Sequence, residues 1–184
     1  MELTDKRKAR TEKVIREVFF QMLSQMPMYK ITVSELCRRA DINRGTFYLH
    51  YQDCYDLIDT ISNEIADKFT PHVEAICADR KCLKSSIMSI LLILSEDKDI
   101  ICLLRTSDLC RQIITRRFRD KIQLNWKKLS GVSDAKADLL YDYICGGVFA
   151  AIQSCGEVSE RKAAEEFCES IYSVITGGLS AFVR

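Results

Sequence analysis

Apolar residues recur every three or four positions along most of the chain, which is the spacing of one face of an α-helix. The first such stripe predicts a helix over residues 5–26, which Pro27 ends because proline has no amide hydrogen to donate. Two short helices are predicted next, over residues 33–40 and 44–50. No segment shows the strict alternation that would favour a strand.

A fourth helix is predicted to start near Asp53, with Pro71 as either a kink or an early break. Its buried side is predicted to carry Tyr55, Leu57, Ile58, Ile61, Ile65 and Phe69. Further helical patterns cover residues 83–94, 98–103, 108–129, 133–155 and 159–183. With only 2 prolines and 7 glycines for turns, the chain is predicted to be all-α, with about nine helices.

The second and third helices are joined by a short turn with clear capping signals. Thr32 and Glu35 form the sequence pattern of a capping box, in which each side chain is expected to bond to the other's backbone amide. Asn43, at the end of the turn over residues 41–43, is placed to cap the third helix. Two short helices with this connection predict a helix-turn-helix, whose second helix enters the major groove of DNA.

The third helix carries side chains suited to a DNA partner. Phe47 and Tyr51 are predicted to pack inward, and the outward set is Arg44, Thr46, Tyr48 and His50. Arginine pairs with guanine or phosphate, while hydroxyl and imidazole groups donate to phosphate oxygens. Gly45 lets the backbone approach DNA closely.

Charge agrees with this placement. Residues 6–50 hold ten basic and four acidic side chains, a net charge of +6, whereas the segment from Leu57 onward has a net charge of −1. A basic segment of this kind favours a phosphate-backbone partner, although a solvated basic helix would look the same. The charged N-terminus and the lack of a long apolar stretch predict a soluble, cytoplasmic protein with no membrane partner.

The sequence resembles the TetR/AcrR bacterial transcriptional regulators over about residues 9–61. The matching motifs are TVSELCRRA, DINRGTFYLHY and YQDCYDL. The resemblance implies a DNA-binding domain over residues 1–56 and a helical dimerisation and effector-binding domain over residues 57–184. It implies DNA-facing positions at Asn43, Arg44, Gly45, Thr46, Tyr48, Leu49 and His50, with Thr32 and Ser34 touching the phosphate backbone. Family members often carry a lysine where this chain has Cys54, so one phosphate contact is expected to be missing.

The resemblance also implies that the last two long helices form a dimer interface. The residues spaced for it are Leu140, Ile144, Gly147, Val148, Ala151, Phe167, Ile171, Ile175 and Leu179. A family-type effector pocket would be lined by Phe69, Ile90, Leu94, Leu103, Ile114, Phe118 and Trp126, although each also suits an ordinary core. The sequence identifies no effector.

No cofactor, metal site or enzyme activity is predicted. The nine cysteines are scattered, without a C-x-x-C pair, and mostly suit buried positions in a reducing compartment. A thiol sensor formed by Cys77 with Cys82, or by Cys102 with Cys110, stays an alternative. The leading hypothesis is a ligand-responsive repressor that binds a palindromic operator as a homodimer. The alternative is a co-regulator of the same fold that acts through a protein partner.

Overall fold

The computed structural model describes residues 2–130, 133–154 and 161–182, and these contain nine α-helices and no strand. The helices are α1 (Glu2–Gln25), α2 (Val33–Arg39), α3 (Arg44–Tyr48), α4 (Cys54–Ala78), α5 (Leu83–Glu96), α6 (Lys98–Thr106), α7 (Asp108–Ser130), α8 (Asp134–Ser154) and α9 (Arg161–Phe182). Short 3-10 turns precede α2, at Met28–Lys30, and α5, at Arg80–Cys82. The predicted all-α class is confirmed.

The N-terminal three helices contribute side chains to the continuous apolar core of the described residues. The inward face of α1 supplies Ile15, Phe19 and Met22, all fully buried. Leu36 from α2 and Phe47 from α3 are also fully buried and belong to the same core. Burial of such side chains contributes about 1.5–3 kcal/mol each, so this core fixes α3 relative to the other two helices.

Helix α4 connects the N-terminal helices to the rest of the chain. Its 25 residues run past the predicted domain boundary at residue 56 and continue through Pro71. Pro71 and Asp67, which lies four residues before it, are both exposed, so the helix lacks one backbone hydrogen bond on its solvent side. Pro71 therefore does not end the helix.

One prediction for the buried side of α4 is wrong. Tyr55 is 54% exposed, whereas its neighbour Cys54 is buried and Leu57, Ile58 and Ile61 continue the inward face. The apolar spacing of the sequence does not decide between Cys54 and Tyr55 at the first turn of the helix. In the structure the smaller Cys54 side chain occupies the inward position. The phenol is left in solvent beside the cap of the helix.

The remaining helices pack on α4 and on one another. Helices α5 and α7 contact α4, α8 contacts α6 and α7, and α9 contacts α5. Helix α6 also contacts α1. The C-terminal helices α5 to α9, called the body below, therefore touch the N-terminal helices at a point separate from α4. No helix in the described part of the chain is both long and apolar enough to cross a membrane.

Candidate DNA-binding face

The start of α2 is fixed by one half of the predicted capping box. The Thr32 hydroxyl oxygen accepts from the Glu35 amide at 3.3 Å. The Glu35 carboxylate is bound instead by Arg38 and by Arg39, each at 2.8 Å. Two guanidinium groups bind a carboxylate more strongly than one amide, and they lower the pKa of Glu35 to about 2. The expectation that Glu35 reaches back to its own helix start is therefore wrong.

The turn between α2 and α3 is held by its backbone and by one side chain. Asp41 has a φ of 51°, in the left-handed region that aspartate tolerates better than most residues, and the Ile42 amide donates to the Cys37 carbonyl at 3.1 Å. The Asn43 side-chain oxygen accepts from the Thr46 amide at 2.7 Å and from the Thr46 hydroxyl at 3.0 Å. Asn43 therefore caps α3, as predicted.

These bonds determine which polar groups remain available on α3. With its oxygen engaged, the Asn43 side chain has its amide hydrogens left to donate to an external acceptor. The Thr46 hydroxyl already donates to Asn43, so it would have to break that bond to donate to a phosphate. The third helix thus offers an amide donor at its start and a constrained hydroxyl one turn later.

The outer face of α3 is exposed and the inner face is not. Arg44, Gly45 and Leu49 lie in solvent, Tyr48 is 56% exposed, and Phe47 between them is fully buried. The half-buried members of the predicted set are Thr46 and His50, and the two α2 positions Thr32 and Ser34 are exposed. All nine predicted DNA-facing residues therefore lie on α2, α3, their caps or the residue that follows, and none is fully buried.

An ionic network attaches this face to α1 and α4. The Phe47 ring contacts Tyr51 with a centroid distance of 5.9 Å, and the Tyr51 hydroxyl accepts from Arg16 at 3.2 Å. Arg16 also forms two bonds to the Glu64 carboxylate, at 2.5 and 2.6 Å, and one to Glu12 at 2.7 Å. The bonds to Glu64, and to a smaller extent the bond to Tyr51, raise the pKa of Arg16, and burial raises the pKa of Tyr51. The network joins α1, the end of α3 and the middle of α4.

Charges around the face are unevenly distributed. Lys30 and Arg44 have no carboxylate partner among the described residues, and Arg7, Lys8 and Arg10 on α1 are exposed. The start of α4 is acidic instead, because Asp53 caps it by accepting from the Tyr55 and Asp56 amides at 2.7 and 2.8 Å. The positive potential therefore lies on the side of α1 to α3.

Cys54 lies at this acidic helix start and supplies no cation. Its side chain is buried, and burial raises the pKa of the thiol to about 11. The expectation that one family-type phosphate contact is missing at this position stays a prediction, and the burial of the thiol is consistent with it.

Sequence reasoning missed one exposed pair on the link between α1 and α2. Tyr29 is 73% exposed, and the Lys30 ammonium lies 6.0 Å from its ring centroid. An aromatic beside a basic residue, directly before the capped α2, is the signal that could have identified the pair.

The residues predicted for an effector pocket lie in the body core. Ile90 is half-buried and packs against that core, which includes Phe69, Leu94, Leu103, Ile114 and Phe118 as buried members. The side chain of Trp126 lies outside the described residues. These positions come from α4 to α7 and form a continuous apolar interior.

The residues predicted for a dimer interface line one groove between α8 and α9. The groove has a volume of about 590 Å³. It is lined by eight of the nine predicted residues: Leu140, Ile144, Gly147, Val148, Ala151, Phe167, Ile171 and Ile175. The side chain of Leu179 lies outside the described residues. Exposed Tyr143 and Val174 extend the same apolar surface.

Two roles are relevant to the described cysteines, metal ligand and reactive thiol. No three His, Cys, Asp or Glu side chains converge on a metal-binding position in the described ranges. The described cysteines are free thiols, and burial raises the pKa of Cys77 and raises that of Cys110 to about 11. A thiol with a raised pKa is mostly protonated near neutral pH and reacts slowly, which weighs against the thiol-sensor alternative.

Comparison with known proteins agrees with this geometry. A 70-residue segment is 30% identical to the HTH-type transcriptional regulator YxbF of Bacillus subtilis (strain 168) and covers 38% of this chain. That segment spans only 18% of YxbF. No protein-family model matches the chain.

Solved structures match over almost the full length. The transcriptional regulator FadR from Bacillus subtilis, in complex with stearoyl-CoA, has a TM-score of 0.65 and 16% identity, covering 90% of this chain and 98% of FadR. A TetR/AcrR-family transcriptional regulator from Aquifex aeolicus VF5 has a TM-score of 0.62 and 21% identity, covering 90% of this chain and 99% of its own. The chain therefore has the fold of the TetR/AcrR transcriptional regulators, with a helix-turn-helix at its N-terminal end.

Proposed function

We propose that this protein is a transcriptional regulator that binds a specific double-stranded DNA operator through the exposed face of α3. The observation that carries the proposal is the composition and rigidity of that face. Arg44 and Tyr48 are exposed on a helix whose underside, Phe47, is fully buried and whose start is capped by Asn43. A short, rigid helix with an exposed cation and hydrogen-bond donors has the dimensions and chemistry that the major groove accepts.

Each available group on the face has a distinct partner on DNA. Arg44, without a carboxylate partner in the described part of the chain, is suited to a bidentate bond with a guanine edge. The Asn43 amide, Tyr48 and His50 donate to phosphate oxygens, which fixes the orientation of α3 without reading sequence. Thr32 and Ser34 are exposed at the start of α2 and contact the adjacent backbone.

The second part of the proposal is a homodimer formed through the groove between α8 and α9. An apolar groove of about 590 Å³ with exposed Tyr143 and Val174 beside it is costly to leave in water. A two-fold axis through this groove presents two α3 helices, and so two half-sites of a palindrome. Glycines in α8 let a partner helix approach closely: a Cβ at Gly146 or Gly147 would meet no atom within 4 Å in the monomer.

The dimer is tested by placing a charge in the groove. Ile171→Glu buries a carboxylate at the proposed interface and is expected to shift the mass in sedimentation equilibrium from dimer to monomer. Leu124→Glu is the matched control, because Leu124 is 53% exposed on α7 and lies outside the groove. A dimeric Ile171→Glu protein would show that the interface lies elsewhere.

The third part is control of DNA binding by a small-molecule effector that enters the body, with repression as the output. FadR of Bacillus subtilis holds stearoyl-CoA on the same fold. Here the apolar residues predicted for a pocket favour an effector with a substantial apolar part, and α4 is the element that would transmit its binding. Only five residues separate the end of α3 from the start of α4, and α4 contacts α5 and α7 in the body, so a shift of α4 changes the spacing of the two α3 helices.

The direct test of DNA binding is selection of bound duplexes from a random pool by the purified protein, with a salt titration of the selected sequences. Enrichment of a palindrome, with affinity that falls steeply as salt rises, is the expected result. No enrichment at low salt would contradict DNA reading and would direct attention to a protein partner.

A further inference from the structure

The most exposed large apolar side chain in the described part of the chain lies on the proposed DNA-reading face. Leu49 is 78% exposed, more than Tyr29 or Tyr143, the next in order. It does not sit on a loose loop, because it caps the C-terminal end of α3 and its amide donates to the Gly45 carbonyl at 3.2 Å. The side chain is therefore presented to solvent from a fixed backbone.

The outer face of α3 consists of two parallel rows. Residues four apart lie one above the other on a helix, so Arg44 stands beside Tyr48 in one row, and Gly45 beside Leu49 in the other. The first row is polar and cationic. The second is apolar, and the only atom close to a Cβ built at Gly45 is the Asn43 side-chain oxygen, at 3.3 Å. Because glycine has no side chain, nothing projects from position 45 beside Leu49.

An apolar row beside a cationic one fits a specific feature of the major groove. Each base pair presents a distinct pattern there, and the 5-methyl group of thymine is its only apolar element. We propose that Leu49 contacts the 5-methyl group of a thymine in each operator half-site, with Gly45 providing the clearance that lets the helix approach it. This rests on the proposed DNA-binding function and adds the base feature that the apolar row reads.

The test replaces thymine by deoxyuridine in the selected operator, which removes only the methyl group. Loss of one buried methyl contact is expected to weaken binding about four-fold per half-site, or about fifteen-fold when both half-sites are changed. Deoxyuridine is introduced at one symmetric pair of positions at a time, so the responsive thymine is identified by position. Affinities are measured by fluorescence anisotropy at one salt concentration.

The protein side of the test uses two leucine variants. Leu49→Ala is expected to fold normally, because Leu49 is exposed, and to bind the thymine and deoxyuridine operators with equal affinity. Leu124→Ala, an exposed leucine on α7, is expected to keep the full preference for thymine. A thymine preference that survives in Leu49→Ala would overturn the assignment, as would equal binding of both operators by the unaltered protein.

The two levels of the proposal fail in different ways. Failure to recover any operator overturns DNA reading itself and the role of Leu49 with it. Recovery of an operator whose thymine methyl groups do not affect binding leaves DNA reading intact and overturns the Leu49 contact alone.

Discussion

Substitutions at Asn43 separate the two roles that the structure gives this side chain. Its oxygen caps α3 through the Thr46 amide and hydroxyl, at 2.7 and 3.0 Å, and its amide hydrogens are left for phosphate. Asn43→Asp keeps a capping oxygen but replaces the donor by a negative charge. We expect its free energy of unfolding to stay within about 0.5 kcal/mol of the unaltered protein, because Asp and Asn cap equally well. Its affinity for the operator is expected to fall at least about ten-fold, from a lost hydrogen bond and repulsion by phosphate.

Asn43→Ala removes both roles and serves as the contrast. Loss of the cap is expected to cost about 1 kcal/mol, which lowers the urea midpoint by about 0.5 M for a slope near 2 kcal/mol per M. Urea melts followed by circular dichroism, at one protein concentration, give stability, and fluorescence anisotropy gives affinity. Undiminished DNA binding by Asn43→Asp would refute the argument that the amide faces phosphate, and an unchanged midpoint in Asn43→Ala would refute the capping argument.

Two further predictions concern ion pairs. Because Arg38 and Arg39 hold the pKa of Glu35 down from 4.5 to about 2, its stabilising contribution is full above pH 4.5 and is lost as pH falls toward 2. The urea midpoint of the unaltered protein should therefore exceed that of Glu35→Gln at neutral pH, and the difference should vanish over that acidic range. For Arg16 and Glu64, a double-mutant cycle with Arg16→Met and Glu64→Gln is expected to give a coupling of about 1 kcal/mol, since the Glu64 side chain is half-exposed and screened. A coupling near zero would contradict a role for this pair in holding α1 on α4.

The helix-turn-helix could be predicted from the sequence because its determinants are local. Thr32 and Asn43 bond to amides three residues away, so their roles follow from spacing alone. Reasoning from neighbouring residues alone gave wrong predictions at two positions, Glu35 and Tyr55. Glu35 had two competing partners within four residues, and the arginines bind it instead of the helix start. Tyr55 adjoins Cys54, and periodicity did not decide which of the two faces inward.

Features that depend on distant contacts could not be predicted. Arg16 meets Tyr51 and Glu64 across 35 and 48 positions of the sequence, and no local pattern indicates that three separate segments converge there. The apolar stripes of α8 and α9 were visible individually. That they line one shared groove depends on how α9 packs on α5 and α8 on α7, which only the tertiary structure provides.

The central claim is that the exposed face of α3 reads the operator, and paired arginine variants test it most directly. Arg44 lies on that face, and Arg116 is an exposed arginine on α7; neither has a carboxylate partner within the described residues. Both variants are measured against the selected operator at one salt concentration. Arg44→Ala is expected to weaken binding at least about thirty-fold, since each half-site loses about 1–3 kcal/mol, while Arg116→Ala binds as the unaltered protein does. Equal binding by Arg44→Ala and the unaltered protein would contradict the claim.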